Sequence, residues 1–220
     1  MKMMKLIGLG LLIAAIPFAS EAQNKKEAKY LAAMKSAVAI VDTCETKEVF
    51  LGVQEKFSHI ASQRKTDWLP YYYIAFCYTH VAMMNKVPDS IEYYTQLADQ
   101  AITMSDSLNK KNAELYCLKA LNTIAKIDVD FMKRGLQYSS LANKMLDEAQ
   151  KIDSANPRVY YLKGRFLYGR PVQFGGGKKA AKPWFEKAVA AYTAHNDRTS
   201  IYPHWGDNLA NRLLLACKED

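Results

Sequence analysis

The sequence predicts an all-α protein, a solenoid of helical hairpins with about nine helices. Three observations carry that expectation. Residues 93–124 and 137–168 lie side by side without a gap at a constant offset of 44, so that Leu97-Ala98 falls on Leu141-Ala142, Asn112 on Asn156, and Tyr116 to Ala120 on Tyr160 to Gly164. The same offset one step earlier puts Tyr72-Tyr73-Ile74 on Tyr116-Cys117-Leu118. A recurrence of this length marks units that cannot bury their own apolar faces and must stack on the next. Within the units, apolar residues recur at three and four, the period of one helix face. Nowhere do β-branched residues alternate with polar ones over a useful length, as a strand would require.

The 220 residues open on a segment with the order of a secretory signal peptide: Lys2 and Lys5, then the apolar run Leu6 to Ile16, then Ser20-Glu21-Ala22 before Gln23. The expected domains are thus a leader, 1–22, and one helical repeat domain, 23–220, exported to the periplasm or beyond. An apolar run this short does not span a bilayer, which needs roughly 20 residues, so the mature chain is not expected to be membrane-embedded. Removing the leader leaves 28 basic and 21 acidic side chains, net +7. The charge is spread over every helix instead of being concentrated on one, which argues against a nucleic-acid partner. Cys44, Cys77, Cys117 and Cys217 each sit in a helical apolar pattern with no CxxC pair; they read as small core residues, with Cys77 and Cys117 the one pair in which a bridge is open.

The elements follow in order. Leu31, Met34, Val38 and Val41 form one face of a helix over 25–43, and Thr46 caps a second helix carrying Phe50, Val53, Phe57 and Ile60. Asp67 and Pro70 open a third helix that ends near Met84, and Pro88 restarts the chain for a fourth, to about Met104. Asn112 caps a fifth, over about 113–127. A sixth covers about 133–152, with Leu141, Met145, Leu146 and Ala149 inward. Asn156-Pro157 pairs an amide-accepting cap with a pre-set first dihedral, and the seventh helix runs to Tyr168. The loop from Arg170 to Gly177 cannot be helical across three consecutive glycines. An eighth helix starts near Lys179 with Pro183 in its first turn, and a ninth carries Leu209, Leu213, Leu214 and Cys217.

The copy from Ala142 to Tyr168 resembles the tetratricopeptide family. Ala142, Leu146 and Ala149 stand at its small-bulky-small positions, Asn156-Pro157 at its terminating turn, and Tyr160 and Gly164 at the aromatic and small positions of the next unit. Phe185-Glu186-Lys187-Ala188 repeats the second-helix core. The resemblance covers about residues 70–217 and implies a right-handed solenoid of antiparallel hairpins with a concave groove. The departure is the period, 44 here against about 34 in the family. With Gly164 as the close-approach position, the family geometry places Tyr161, Arg165 and Tyr168 on the inner face, with Tyr73, Cys77 and His80 equivalent earlier in the chain.

No local pattern of catalysis is present: there is no G-x-S-x-G elbow, no H-E-x-x-H and no P-loop, and His59, His80, His195 and His204 are far apart in the chain. Neither a metal site nor a cofactor site is expected. Gly175, Gly176 and Gly177 with Lys178 and Lys179 form a candidate anion site, because glycines admit a ligand to the backbone amides and a helix start adds positive potential. The expected function is a non-enzymatic, exported scaffold that binds a protein or peptide through Tyr73, His80, Tyr161, Arg165 and Tyr168. The alternative is a small-ligand protein, for an anionic ligand, accessory to a transport system, its pocket closed by the glycine loop.

Overall fold

A computed structural model describes residues 16–194 and 199–218, with side chains from residue 23 onward. Residues 1–15 of the expected leader, and His195, lie outside the described residues. Within them the fold is all-α: nine α-helices, two short 3-10 turns and no strand. The helices are α1 (Ile16–Val41), α2 (Lys47–Gln63), α3 (Trp68–Met84), α4 (Pro88–Leu108), α5 (Ala113–Ala125), α6 (Phe131–Ile152), α7 (Pro157–Gly169), α8 (Lys178–Ala194) and α9 (Asp207–Ala216).

Their starts are set by side chains that accept the first free amides. Thr46 accepts from the Val49 amide, Asp67 from Leu69, Asn112 from Glu114, Asp130 from Lys133 and Asn156 from Arg158. Some boundaries differ from expectation, α4 running on to Leu108 past Met104. The helix α1 begins at Ile16 instead of Lys25, with Pro17 in its first turn, where the missing N–H is harmless. In α8, Pro183 lies in the second turn; the carbonyl it leaves unpaired belongs to exposed Lys179, where water can reach it.

Helices pack first on their chain neighbours, α3 with α4, α5 with α6, and α7 with α8, while α3 touches α5 and α5 touches α7. Where α7 meets α8, a Cβ on Gly164 would stand 2.8 Å from two ring carbons of Phe185, so only glycine admits that approach. Ala142, Leu146 and Ala149 are buried. Two large apolar clusters result, one around Met34, Phe57, Tyr72 and Leu115, the other around Leu121, Leu146, Leu162 and Phe185, with Trp205 packed against both, beside a small third one of Ala82, Ile91 and Ala125. Each fully buried Leu or Phe contributes about 1.5–3 kcal/mol relative to exposure.

The 44-residue offset also orders charge. Glu114 and Arg158 occupy equivalent positions and pair through two hydrogen bonds of 2.5 Å, and Asn156 adds its amide to the same carboxylate. All four cysteines are free thiols, so Cys77 and Cys117 are not bridged.

One feature is foreign to a linear array, in which each repeat touches only its neighbours. The segment 199–206, between α8 and α9, returns to the first helices. Ile201 accepts a hydrogen bond from the Tyr73 hydroxyl (2.9 Å), the Trp205 indole N–H donates to the Tyr72 hydroxyl (2.8 Å), and His204 Nε2 meets Asp42 at the end of α1 (2.8 Å). This strap ties the last helix to the end of α1 and to α3.

Candidate functional site

The strap and α9 form one side of an open-mouthed cavity of about 940 Å³ against α3, α5 and α7, with the α1–α2 turn on its far side. That is within the ~300–1,000 Å³ of small-molecule and cofactor sites. Its apolar lining includes Phe50, Phe76, Met83, Leu121 and Trp205. Three inner positions spaced by the repeat, 77, 121 and 165, explain part of this: Leu121 and Arg165 both reach the cavity, while Cys77 is fully buried.

The polar groups are unevenly placed. Asp42 and Glu45 line the α1 end, and Arg165 and Arg212 line the α7 and α9 end. Asp42 is already paired with His204, and Asp207 has a partner of its own. Among the described residues neither Arg165 nor Arg212 has a carboxylate partner, and both guanidinium charges act on the Tyr161 phenol. Two guanidiniums in one cavity, neither neutralised by a carboxylate and one of them, Arg165, hydrogen-bonded to the Tyr161 phenol, form a site for carboxylates or another anion.

His80 sits at the cavity's apolar side, stacked on Phe50 with ring centroids 5.0 Å apart and 4.0 Å from Phe76. Its Nδ1 is 2.9 Å from the Phe76 carbonyl. Burial pushes this imidazole down to about 4; the Arg165 charge acts the same way, and the bond to Phe76 opposes both. The ring is therefore neutral at pH 7. Since a carbonyl only accepts, Nδ1 carries the proton and Nε2 keeps its lone pair.

His204 is the opposite case. Both its nitrogens face acceptors, Asp42 and the Tyr202 carbonyl. The hydrogen bond to Asp42 raises its pKa, burial and the distant Arg158 charge oppose, and the Asp42 charge and Tyr202 carbonyl add to the rise. The group contributes stability in full below its ordinary value of 6.5 and loses it as pH rises through the raised one. His80 works the other way, its depressed pKa costing stability as pH falls from 6.5 towards about 4. Melting temperatures of the wild-type chain should therefore fall on both sides of a maximum near pH 6.5, the ordinary value from which the two shifts diverge. In His204→Gln the alkaline fall should shrink while the acid fall stays. Identical alkaline limbs in the two proteins would show that the strap's ion pair contributes nothing.

Of the expected groove residues, the structure brings His80, Tyr161 and Arg165 together at this cavity. Tyr161 is only 2% exposed, its ring set edge-on to Trp205. Tyr168 is half-buried beyond the cavity, packed edge-on against Phe185. Tyr73 is a correction: it is 1% exposed, stacked on Phe57, because the strap covers it. The glycine loop is another. The amides of Gly175, Gly176 and Gly177 are all engaged, by the carbonyls of Val172, Pro171 and Leu167, so none is left to hold an anion. Gly175 and Gly177 are there for their positive φ of 78° and 91°, and a Cβ on Gly176 would collide with the Arg170 backbone. Lys178 and Lys179 are exposed on the first turn of α8, and the loop does not line the cavity.

The residues that sequence reasoning missed are Trp205, Arg212 and the Asp42–His204 pair. The one available signal was Pro203-His204-Trp205-Gly206, an aromatic and a histidine fixed between two turn-forming residues. Gly206 takes a φ of +104°, and a Cβ there would strike the Tyr192 hydroxyl. Among the described residues no helix is long and apolar enough to cross a membrane, and no group of three or more His, Cys, Asp or Glu is placed to hold a metal ion.

No family model matches the chain, and no curated relative matches it. Among solved structures, the HusA haemophore from Porphyromonas gingivalis is similar at a TM-score of 0.78 and 32% identity, over 86% of this chain and 92% of that one. With that identity spread over almost the whole of both chains, the protein belongs to the family of the HusA haemophore.

Proposed function

We propose that the protein is an exported, non-enzymatic carrier of a haem-type tetrapyrrole, held in the cavity between α3, α7, α9 and the strap. The observation that carries this is the cavity's composition in a chain of the haemophore's family. Aromatic and aliphatic walls suit a flat, apolar macrocycle, and the charges of Arg165 and Arg212 at one end, not neutralised by a carboxylate, suit the carboxylates such a molecule carries. Walls and charges come from helices far apart in sequence, so the site exists only when the array is folded and strapped. The tetratricopeptide-like, right-handed stacking of antiparallel hairpins is part of this proposal. Contacts of α3 with α5 and of α5 with α7 support it, as does the close approach at Gly164. So is export through the leader at 1–22, which suits a protein that collects a ligand for a transport system.

A protein or peptide partner, the first expectation from the sequence, has less to support it. The strap crosses the face where an extended segment would lie, and Tyr73 is not available to it. The test is a titration of the mature protein with ferric haem, followed by visible absorption, against the Arg165→Ala and Arg212→Ala variants. Each variant should bind haem about tenfold more weakly, the size expected for a lost hydrogen bond to a charged group. Haem dimethyl ester, which has no carboxylates, should bind wild type and variants alike. Equal affinity of all three proteins for free haem would remove the arginines from the site, and no binding to the wild type would remove the proposal.

A further inference from the structure

We propose that the end of the array formed by the starts of α4, α6 and α8 is a docking surface for an anionic phospholipid membrane, entered by apolar side chains and flanked by cations. This goes beyond the carrier reading above and does not depend on it. Antiparallel packing gathers the three segments. Ser105, near the end of α4, donates to the Trp68 carbonyl at the start of α3 (2.9 Å). Arg134 in the first turn of α6 reaches Glu92 near the start of α4 (2.5 Å), and Glu114 and Arg158 join the starts of α5 and α7. The ends of α3, α5 and α7, and with them the starts of the helices that follow, therefore lie together, away from the caps Asp67, Asn112 and Asn156.

Exposure is concentrated at this end. Phe131, Met132 and Leu136 on α6, with Val172 and Phe174 on the turn after α7, are 66–89% exposed, and among the described residues no other large hydrophobic exceeds 59%. One exposed apolar side chain is ordinary on a protein surface, but a gathering of them at one end is not. Local contacts set their direction. Arg134 is held by Glu92 and lies over the Tyr138 ring (5.7 Å), which turns that side of α6 to the protein. Met132 and Leu136, four residues apart, share the other side. The loop 170–177 closes on α7 through the Gly177 amide and the Leu167 carbonyl (2.9 Å), and its tip projects beyond the helix.

Two features fit a lipid surface better than a protein. Protein partners recognise side chains set in packed, pocketed patches, whereas Met132 and Leu136 stand clear of their neighbours, and fluid acyl chains can surround such a side chain. The second feature is charge. Outside the ion pairs of Lys126 with Asp99 and Arg134 with Glu92, Lys86, Lys133, Arg170, Lys178 and Lys179 outnumber Asp89, Asp128 and Asp130 at this end. Cations beside an inserted apolar tip are drawn to anionic headgroups, and their stems extend along the apolar surface. Among the described residues no helix is long and apolar enough to cross a bilayer, so the contact is peripheral. Met84, at the end of α3, also lines the cavity, so docking brings part of that lining near the lipid.

Sedimentation of the mature chain with vesicles tests this. Vesicles of phosphatidylcholine with about one third phosphatidylglycerol should bind it about tenfold more tightly than pure phosphatidylcholine, and the difference should vanish in about 0.5 M salt. In Phe131→Trp the new indole should be quenched by brominated acyl chains beyond any quenching of the three native tryptophans. Leu136→Asp and Phe174→Asp should each weaken vesicle binding about tenfold, the loss expected for one inserted apolar side chain, with helix content unchanged. Met104→Asp, near the far end of α4, should bind as the wild type does. Failure of the wild type to bind either vesicle, or undiminished binding by both aspartate variants, would overturn the proposal. So would a lipid-free dimer in sedimentation velocity that Leu136→Asp dissociates, because the patch would then be a face between two copies of the chain.

Discussion

Replacing Arg158 with alanine is expected to destabilise the protein by about 3–5 kcal/mol, the cost of leaving one member of a buried ion pair alone. Arg158 is only 8% exposed and grips Glu114 with both Nε and a terminal nitrogen, while Asn156 holds the same carboxylate from the side. Burial alone would push the guanidinium down, but the Glu114 charge and hydrogen bonds outweigh it and hold Arg158 above its ordinary value. The guanidinium also lies 5.8 Å from the Trp205 ring centre, so its loss loosens the strap as well as the α5–α7 contact. In urea the midpoint should drop while the slope stays unchanged, and the melting temperature should fall by roughly 10 °C. Replacing both partners by apolar residues, Glu114→Leu with Arg158→Met, should recover most of the loss, because no buried charge remains unpaired. An Arg158→Ala protein within about 1 kcal/mol of wild type would mean that water reaches Glu114 and that the pair does not tie the repeats together.

Helices and their starts were legible because their determinants are local. The caps Thr46, Asp67, Asn112 and Asn156 need only a side chain that reaches two or three residues along, and a period of three and four needs only one helix. The small positions were legible through the repeat: Gly164 is a place where two helices meet at a fixed offset. The ion pair of Glu114 with Arg158 was hidden in the same alignment, since the offset of 44 put opposite charges at equivalent positions. What local reasoning could not reach is closure. The pairings of Tyr73 with Ile201 and of Asp42 with His204 join residues 128 and 162 apart, and no periodicity encodes them. A solenoid logic that allows contact only between neighbours left Tyr73 in an open groove. In the structure the strap bonds to it and it lies in the core, while the same strap forms one side of the cavity. The glycine loop misled for a related reason: glycines that free a backbone for a ligand and glycines that let a loop close on itself look alike until the partners of their amides are known.

Trp205→Ala is the second large effect expected, because this one side chain joins the core to the cavity. Its ring packs 5.2 Å from Phe76 and 6.2 Å from Tyr161, centre to centre, and its N–H supplies the Tyr72 hydroxyl, which is fully buried. Truncation removes a wall of the cavity, leaves a void between the two apolar clusters and takes from Tyr72 its indole donor. Since the indole is half-buried, the stability loss belongs at the low end for a tryptophan deletion, about 3 kcal/mol. Haem affinity should fall further than in the arginine variants, by roughly a hundredfold, because the strap that closes the site is released along with its aromatic surface. Trp205→Phe separates the two contributions. It restores the ring against Phe76 and Tyr161 but not the hydrogen bond, so it should recover most of the haem affinity while keeping about 1–3 kcal/mol of the stability loss, the cost of an unsatisfied buried hydroxyl. Chemical denaturation and haem titration of the two variants measure both quantities. If Trp205→Ala bound haem as tightly as wild type, the strap would be a structural tie alone, and the ligand would have to sit on α3 and α7 without it.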